Sequence, residues 1–280
     1  MKFGIVTDVQ FSVQPSMYPQ QRPAPLGVKK LAEAIKEFNK HDDLEFIVNL
    51  GDLIDHDPSN YPAILDVFSK SKFPVYHALG NHDFSGPDND KGYKAEALAA
   101  LGMTDDSRHY YKDVGSWRFI ILDTNEVGMI EYKKDTPEWL AGQKYVEQLQ
   151  KVGKINANSW NGAVSEKQMQ WLEETIDAAA EKDMRCIVFA HHAIYPAHKH
   201  NALNDEEILA LLSAKSNVKA YINGHNHDGD YGVYNGLHCW TVEGMMDFVD
   251  KTAFAIATIN NDEISIQGYG RVADRVMQLR

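Results

Sequence analysis

Residues 1–11 read MKFGIVTDVQF. Apolar side chains dominate residues 3–7, and the run stops at a carboxylate, Asp8, with an amide, Gln10, two positions further on. An apolar run without alternation marks a strand covered on both faces. Runs of the same kind, rich in Ile, Val, Leu and Phe, recur at residues 45–50, 74–79 and 185–190. Helical spacing fills the intervals. Residues 26–38 carry Leu31, Ala34, Ile35 and Phe38; residues 165–180 open on the cap Ser165 and repeat Met169, Leu172 and Ile176; Asn204 caps the stretch from Ile208 to Leu212.

Hairpin signals appear elsewhere, at Asp113-Val114-Gly115-Ser116, Tyr234-Asn235-Gly236 and Asn260-Asn261-Asp262. Strands alternating with helices, followed by antiparallel strands, predict an α/β fold with two facing mixed sheets flanked by helices, a four-layer α/β/β/α sandwich. Residues 124–163 fit neither pattern. They hold a helical stretch at 137–152 and the aromatics Trp139, Tyr145 and Trp160, and are expected to form an insertion over one end of the sheets. With no linker-like tract, residues 1–280 are expected to form one domain.

Lys and Arg number 28 against 40 Asp and Glu, a formal charge of −12. Such a surface repels polyanions, which argues against a nucleic-acid groove or an acidic-membrane patch; a phosphate-bearing substrate needs a local cation. No apolar run reaches the roughly 18 to 20 residues of a membrane helix. Cys186 and Cys239 each lie inside an apolar run, as expected of core thiols in a reducing, cytoplasmic compartment. A monomer is expected.

A polar cluster follows each strand: Asp8-Val9-Gln10, Gly51-Asp52-Leu53-Ile54-Asp55, Gly80-Asn81-His82-Asp83, His191-His192 and Gly224-His225-Asn226-His227. Carboxyl ends of strands are where α/β sheets build their sites, so these segments aim oxygen and nitrogen donors at one place. Carboxylates and imidazoles gathered without a cation would repel or go unsatisfied. A divalent metal answers this. A mixed oxygen and nitrogen set without thiolate suits Mn, Fe, Zn or Co, and its size suits two ions sharing a bridge.

The ordered series D-x-Q, GDLID, GNHD, a lone His after a strand, and GHNH resembles the calcineurin-like metallophosphoesterase superfamily. Within it the amide at Gln10, with VYHALGNHDF, WNGAVSEKQMQWLEE and INGHNHDGDYGVYNGLHCWTVEG, is similar to the manganese-dependent ADP-ribose/CDP-alcohol diphosphatases. The resemblance implies that Asp8, Gln10, Asp52 and His227 hold a first metal, and that Asp52 bridges to a second held by Asn81, His191 and His225. It implies manganese as the ion, His82 as the catalytic histidine and Asp55 as its partner. The expected reaction is hydrolysis of a small-molecule phosphoanhydride, ADP-ribose or a CDP-alcohol, by a hydroxide bridging the metals. A phosphodiesterase or phosphomonoesterase of the same superfamily is the alternative, and a non-catalytic scaffold is the reading from another class. The proline-rich loop at residues 15–25 departs from the family and follows strand one, where it could border the substrate.

Other residues receive plainer readings. Asp83 either caps a helix, accepts hydrogen bonds behind the site or acts in it directly. His192 and His77 read as packing, and His198 and His200 as an exposed loop pair. His41, His56, His109 and His238 receive no role. Asp228 and Asp230 read as turn residues, and Arg271 and Arg275 as partners in tail salt bridges. Glu243 either supports a ligating histidine or caps a loop.

Overall fold

The computed structural model describes residues 1–16, 19–84 and 91–279, so residues 17 and 18 of the proline-rich loop lie outside the described residues. Among the described residues, two six-stranded sheets face each other. In the first, β1 (Lys2–Val6), β2 (Leu44–Asn49) and β3 (Val75–His77) run parallel, and β10 (Ala253–Ile259), β11 (Glu263–Gly270) and β12 (Arg275–Gln278) extend it antiparallel beyond β1. In the second, β5 (Trp117–Ile121), β6 (Arg185–Phe189), β7 (Val218–Asn223) and β9 (Leu237–Thr241) run parallel. Its edges, β4 (Tyr110–Val114) and β8 (Asp230–Tyr234), are antiparallel.

The first strand explains why its sequence run is unbroken. Phe3 and Ile5 face the space between the sheets, while Val6 faces the outer helices. Gly4 lies on that outer face as well, where a Cβ would stand 3.0 Å from the ring of Phe38. Phe3 and Phe46 of one sheet meet Phe119 and Phe189 of the other, stacked or edge-on with centroids between 4.8 and 6.1 Å apart. Each such buried ring contributes roughly 1.5–3 kcal/mol. Outside the first sheet pack α1 (Gly27–Phe38), α2 (Tyr61–Phe68) and α3 (Lys94–Ala100); outside the second pack α5 (Glu166–Ala180) and α6 (Asp205–Ala214). The four layers are those expected.

The hairpins also form where expected, with Asn235 at φ 49° and Gly236 at φ 86° as a primed two-residue turn requires. Ser165 caps α5 by accepting from the Gln168 N–H. Asn204 departs from its expected role. It precedes α6 without a side-chain cap; its amide instead bonds both backbone groups of Val164, tying α6 to the segment that leads into α5.

Residues 124–163 leave the second sheet after β5 and return through paired backbone bonds between Val127 and Ala163. Within them α4 (Pro137–Lys151) packs Trp139 and Val146 against Met129, Ala163 and Leu203, with Tyr145 half-buried beside them. Cys186 and Cys239 are free and buried, their thiols pushed up to about 12 by burial. No helix among the described residues is long and apolar enough to cross a membrane.

Candidate metal centre

β1 ends at Val6, so Asp8 and Gln10 stand beyond the strand. Strand pleating does not set their direction: Asp8 and Gln10 have φ of 51° and 41°, in the left-handed region. Asp52 and His225 share that region, at 57° and 68°. Backbone bonds hold the loops there. Asp8 N–H donates to the Gly51 carbonyl at 3.1 Å, and Gln10 N–H to the Asp52 carbonyl at 2.8 Å, so the loop after β1 runs along the loop after β2.

All the expected ligand residues converge at the carboxyl ends of β1, β2, β3, β6 and β7. Ligand atoms of Asp8, Asp52 and His227 lie within 4.8 Å of one another, and so do those of Asp52, His191 and His225. Asp52 belongs to both groups. Asn81 joins through Oδ1, 3.0 Å from His191 Nε2, and Gln10 through its amide, 2.9 Å from Asp52 Oδ2 and 3.2 Å from His227 Nε2. Apart from His227, these groups are almost wholly buried.

Hydrogen bonds on the outer side of each histidine fix which nitrogen faces inward. His191 donates from Nδ1 to the Leu50 carbonyl at 2.9 Å, and His227 from Nδ1 to the Asp247 carboxylate at 3.0 Å. Each therefore directs Nε2 inward, His191 to within 3.4 Å of Asp52 Oδ2 and His227 to within 3.2 Å of Asp8 Oδ1. Burial disfavours the charged ring, yet Asp52 holds His191 up at about 9, and Asp8 with Asp247 holds His227 at about 10. Burial opposes ionisation of Asp52 too, but His191 and His82 overcome it and hold that carboxyl well below its ordinary value. Asp8 Oδ1 and Gln10 Oε1 are buried without a hydrogen-bond partner among the described residues. A buried carboxylate oxygen of Asp8 with no hydrogen bond, 3.2 Å from the inward nitrogen of His227, fits a cation at this place. The donor set therefore suits divalent metal.

Beside these groups His82 donates from Nδ1 to Asp55 Oδ1 at 2.8 Å, and its backbone N–H reaches Asp52 Oδ1 at 2.7 Å. Burial opposes ionisation of Asp55, but the bond from His82 keeps its carboxyl below the ordinary value. Asp83 fills both the cap and the acceptor readings: its carboxylate takes the Gly80 N–H, capping the short turn Asn81–Asp83, and it also takes the Asp52 and Leu53 N–H groups and the Tyr61 hydroxyl.

A family model described as calcineurin-like phosphoesterase matches residues 1–229. The chain belongs to the calcineurin-like phosphoesterases. It is 26% identical to an Oryza sativa protein named manganese-dependent ADP-ribose/CDP-alcohol diphosphatase, over 98% of this chain and 93% of that one. A Mus musculus protein of the same name is 24% identical over 99% and 93%. Among solved structures, a dimetal phosphatase from Danio rerio superposes with a TM-score of 0.85 at 23% identity, covering 100% of this chain and 99% of that one.

This calcineurin-like phosphoesterase also gathers residues that its motifs leave out. His56, at φ 61°, stacks on His82 with ring centroids 4.1 Å apart and bonds the Phe84 carbonyl through Nδ1 at 3.0 Å. Burial and then the neighbouring His82 press its pKa down to about 4. Asp247 takes the supporting role considered for Glu243, and Arg271 braces Asp247 at 3.0 Å, so Arg271 does more than close a tail salt bridge. His198 and His200 are half-buried. His200 sets its ring edge-on to His225, with centroids 5.0 Å apart, and stands 6.3 Å from Trp160, so the reading as an exposed loop pair is corrected. His192 is core as expected, bonded through Nδ1 to the Thr124 hydroxyl at 2.7 Å. No spacing signal could have singled out Asp247 or His200.

Proposed function

We propose that this phosphoesterase hydrolyses the phosphoanhydride bond of small nucleoside-diphosphate compounds, ADP-ribose or CDP-alcohols, with two divalent cations, manganese foremost. One observation carries the reading: two ligand groups share Asp52, and the His82–Asp55 pair stands directly beside them. The names borne by relatives that match nearly the whole chain support the substrate class.

Asp8, Gln10, Asp52 and His227 would hold one cation, and Asp52, Asn81, His191 and His225 the other. A half-turn of the Gln10 amide brings Oε1 to the position of Nε2, and the two atoms are interchangeable in placement. When bound, such a pair of ions neutralises phosphoryl charge and lowers the pKa of a water enough for attack near neutral pH. His82 gives its Nδ1 proton to the bond with Asp55, which leaves Nε2 as the nitrogen that carries or releases a proton. That proton belongs on the departing oxygen.

The test is turnover of a panel by the purified chain with manganese. ADP-ribose and CDP-choline are expected to be cleaved to monophosphates. If both stay intact while a monoester or a cyclic nucleotide turns over, the phosphoanhydride reading fails and the esterase alternative takes its place.

A further inference from the structure

We propose that Asn161, delivered by the insertion, is a positioning residue that selects the tautomer of His225 and thereby decides which ring nitrogen meets the second cation. The proposal rests on the dinuclear reading above. It starts from a side chain whose polar atoms are all committed. Asn161 is 0% exposed; Nδ2 donates to the Lys199 carbonyl at 2.7 Å and the Asn156 carbonyl at 2.8 Å, and Oδ1 faces His225 Nε2 at 2.8 Å. Turning the amide over would set Oδ1 against two carbonyl oxygens, so its orientation is fixed by chemistry. An oxygen at 2.8 Å from a ring nitrogen accepts, so His225 carries its proton on Nε2 and keeps the lone pair on Nδ1.

The choice matters because an imidazole that ligates a metal is neutral and holds a single proton. The rings of His192, His191 and His200 crowd around it. Those rings also pin its plane, with centroids 4.3 to 5.0 Å away, and the His225 N–H is bonded to Asp8 Oδ2 at 3.1 Å. With Nδ1–H the proton would point into the ligand group and exclude a cation. His191 and His227 have carbonyl and carboxylate acceptors from the sheet loops and point Nε2 inward; His225 alone of the three depends on the insertion and points Nδ1 inward.

The placement of Asn161 is itself built. Gly162 follows it, and a Cβ there would stand 2.3 Å from the Thr124 carbonyl oxygen, so only glycine lets the returning strand pass this close. The Asn161 N–H bonds the Asn158 carbonyl at 3.1 Å, and the Gly162 carbonyl takes the Leu203 N–H at 2.8 Å. The insertion is therefore more than a cover: it supplies an acceptor the sheets do not.

Two measurements test this. In protein loaded with zinc as a diamagnetic probe, nitrogen-15 spectra of the imidazoles are expected to place the His225 proton on Nε2 with metal on Nδ1; a proton on Nδ1 overturns the proposal. Calorimetric zinc titration then compares Asn161→Ala with Asn161→Asp. The alanine variant is expected to lose about 10–100-fold in affinity for the second ion with the first unchanged. The aspartate variant keeps the acceptor but sets its other oxygen against the Lys199 and Asn156 carbonyls, so it is expected to lose stability yet to hold the second ion more tightly than the alanine variant does. If aspartate falls as far as alanine, Asn161 is only structural and the proposal fails. A parent chain that takes up one zinc overturns the dinuclear reading as well, whatever its variants do.

Discussion

At the scale of single residues, the site is held in a backbone that most side chains avoid. Asp8, Gln10, Asp52 and His225 are all left-handed, a conformation that costs non-glycine residues roughly 1–2 kcal/mol each. Neighbouring loops offset that cost, and they do so by close approach. Gly80 lies so near the loop after β2 that a Cβ would stand 2.1 Å from Asp52 Oδ1 and 2.4 Å from its nitrogen. Gly80→Ala is therefore expected to displace Asp52, lowering stability by roughly 1–3 kcal/mol or more and abolishing uptake of both cations. Denaturant unfolding and metal analysis read the two effects; normal metal content would refute the shared role of Asp52. His82→Ala removes the ring but keeps the backbone N–H that bonds Asp52. It is expected to lower turnover about 10²–10⁴-fold while metal content stays near normal, and unchanged turnover would remove its role in proton transfer.

At the scale of elements, strands and helices were legible because burial on both faces and helical spacing leave direct marks in sequence. Their partners across the chain were not. Asp247 meets His227 from 20 positions away and Asn161 meets His225 from 64, and nothing in GMMDFVD or NSWNGAV advertises either contact. Arg108 is a third case. In DDSRHYY it looks like a surface loop charge, yet it is 6% exposed and faces Asp123, just past β5, and Glu126 and Glu131 of the insertion, with Lys94 of α3 on Glu131 as well. These contacts tie the segment between α3 and β4 to the neck of the insertion. Arg108→Leu would leave three carboxylates short of their main cation, so a loss of about 3–5 kcal/mol is expected in denaturant unfolding. Burial, and then Asp123, already raise Glu131 to about 7, above its ordinary value. Removing the arginine raises it further. Glu131's share of the variant's deficit is thus expected to shrink as pH falls towards 7, because the folded variant takes up the proton above 7 and the parent only near it. A deficit that does not depend on pH would argue against charge as its cause.

At the scale of the whole molecule, the proposed ligand residues straddle two sheets. Asp8, Asp52 and Asn81 come from loops of the first, His191, His225 and His227 from loops of the second, and the aromatic seam of Phe3, Phe46, Phe119 and Phe189 sets the distance between them. Neither sheet alone would hold either cation with these residues, so ion binding is expected to be linked to the docking of the sheets and to stabilise the whole fold. At free manganese 100-fold above its dissociation constant, the gain is about 2.7 kcal/mol per site. Its pH dependence has a definite sign. Without ions, His191 and His227 keep protons up to about 9 and about 10, above the 6.5 of an unfolded imidazole, and that contribution to stability is complete below 6.5 and lost as pH rises through the folded values. In the loaded protein a cation takes the place of those protons, and its binding releases them. The gap between loaded and chelator-treated protein is therefore expected to widen from pH 6.5 to 8.5, and proton release on binding to appear as a buffer-dependent heat. Anaerobic denaturant unfolding with and without manganese measures the gap; one that narrows over that range would mean that protons do not stand in for the cations at these histidines.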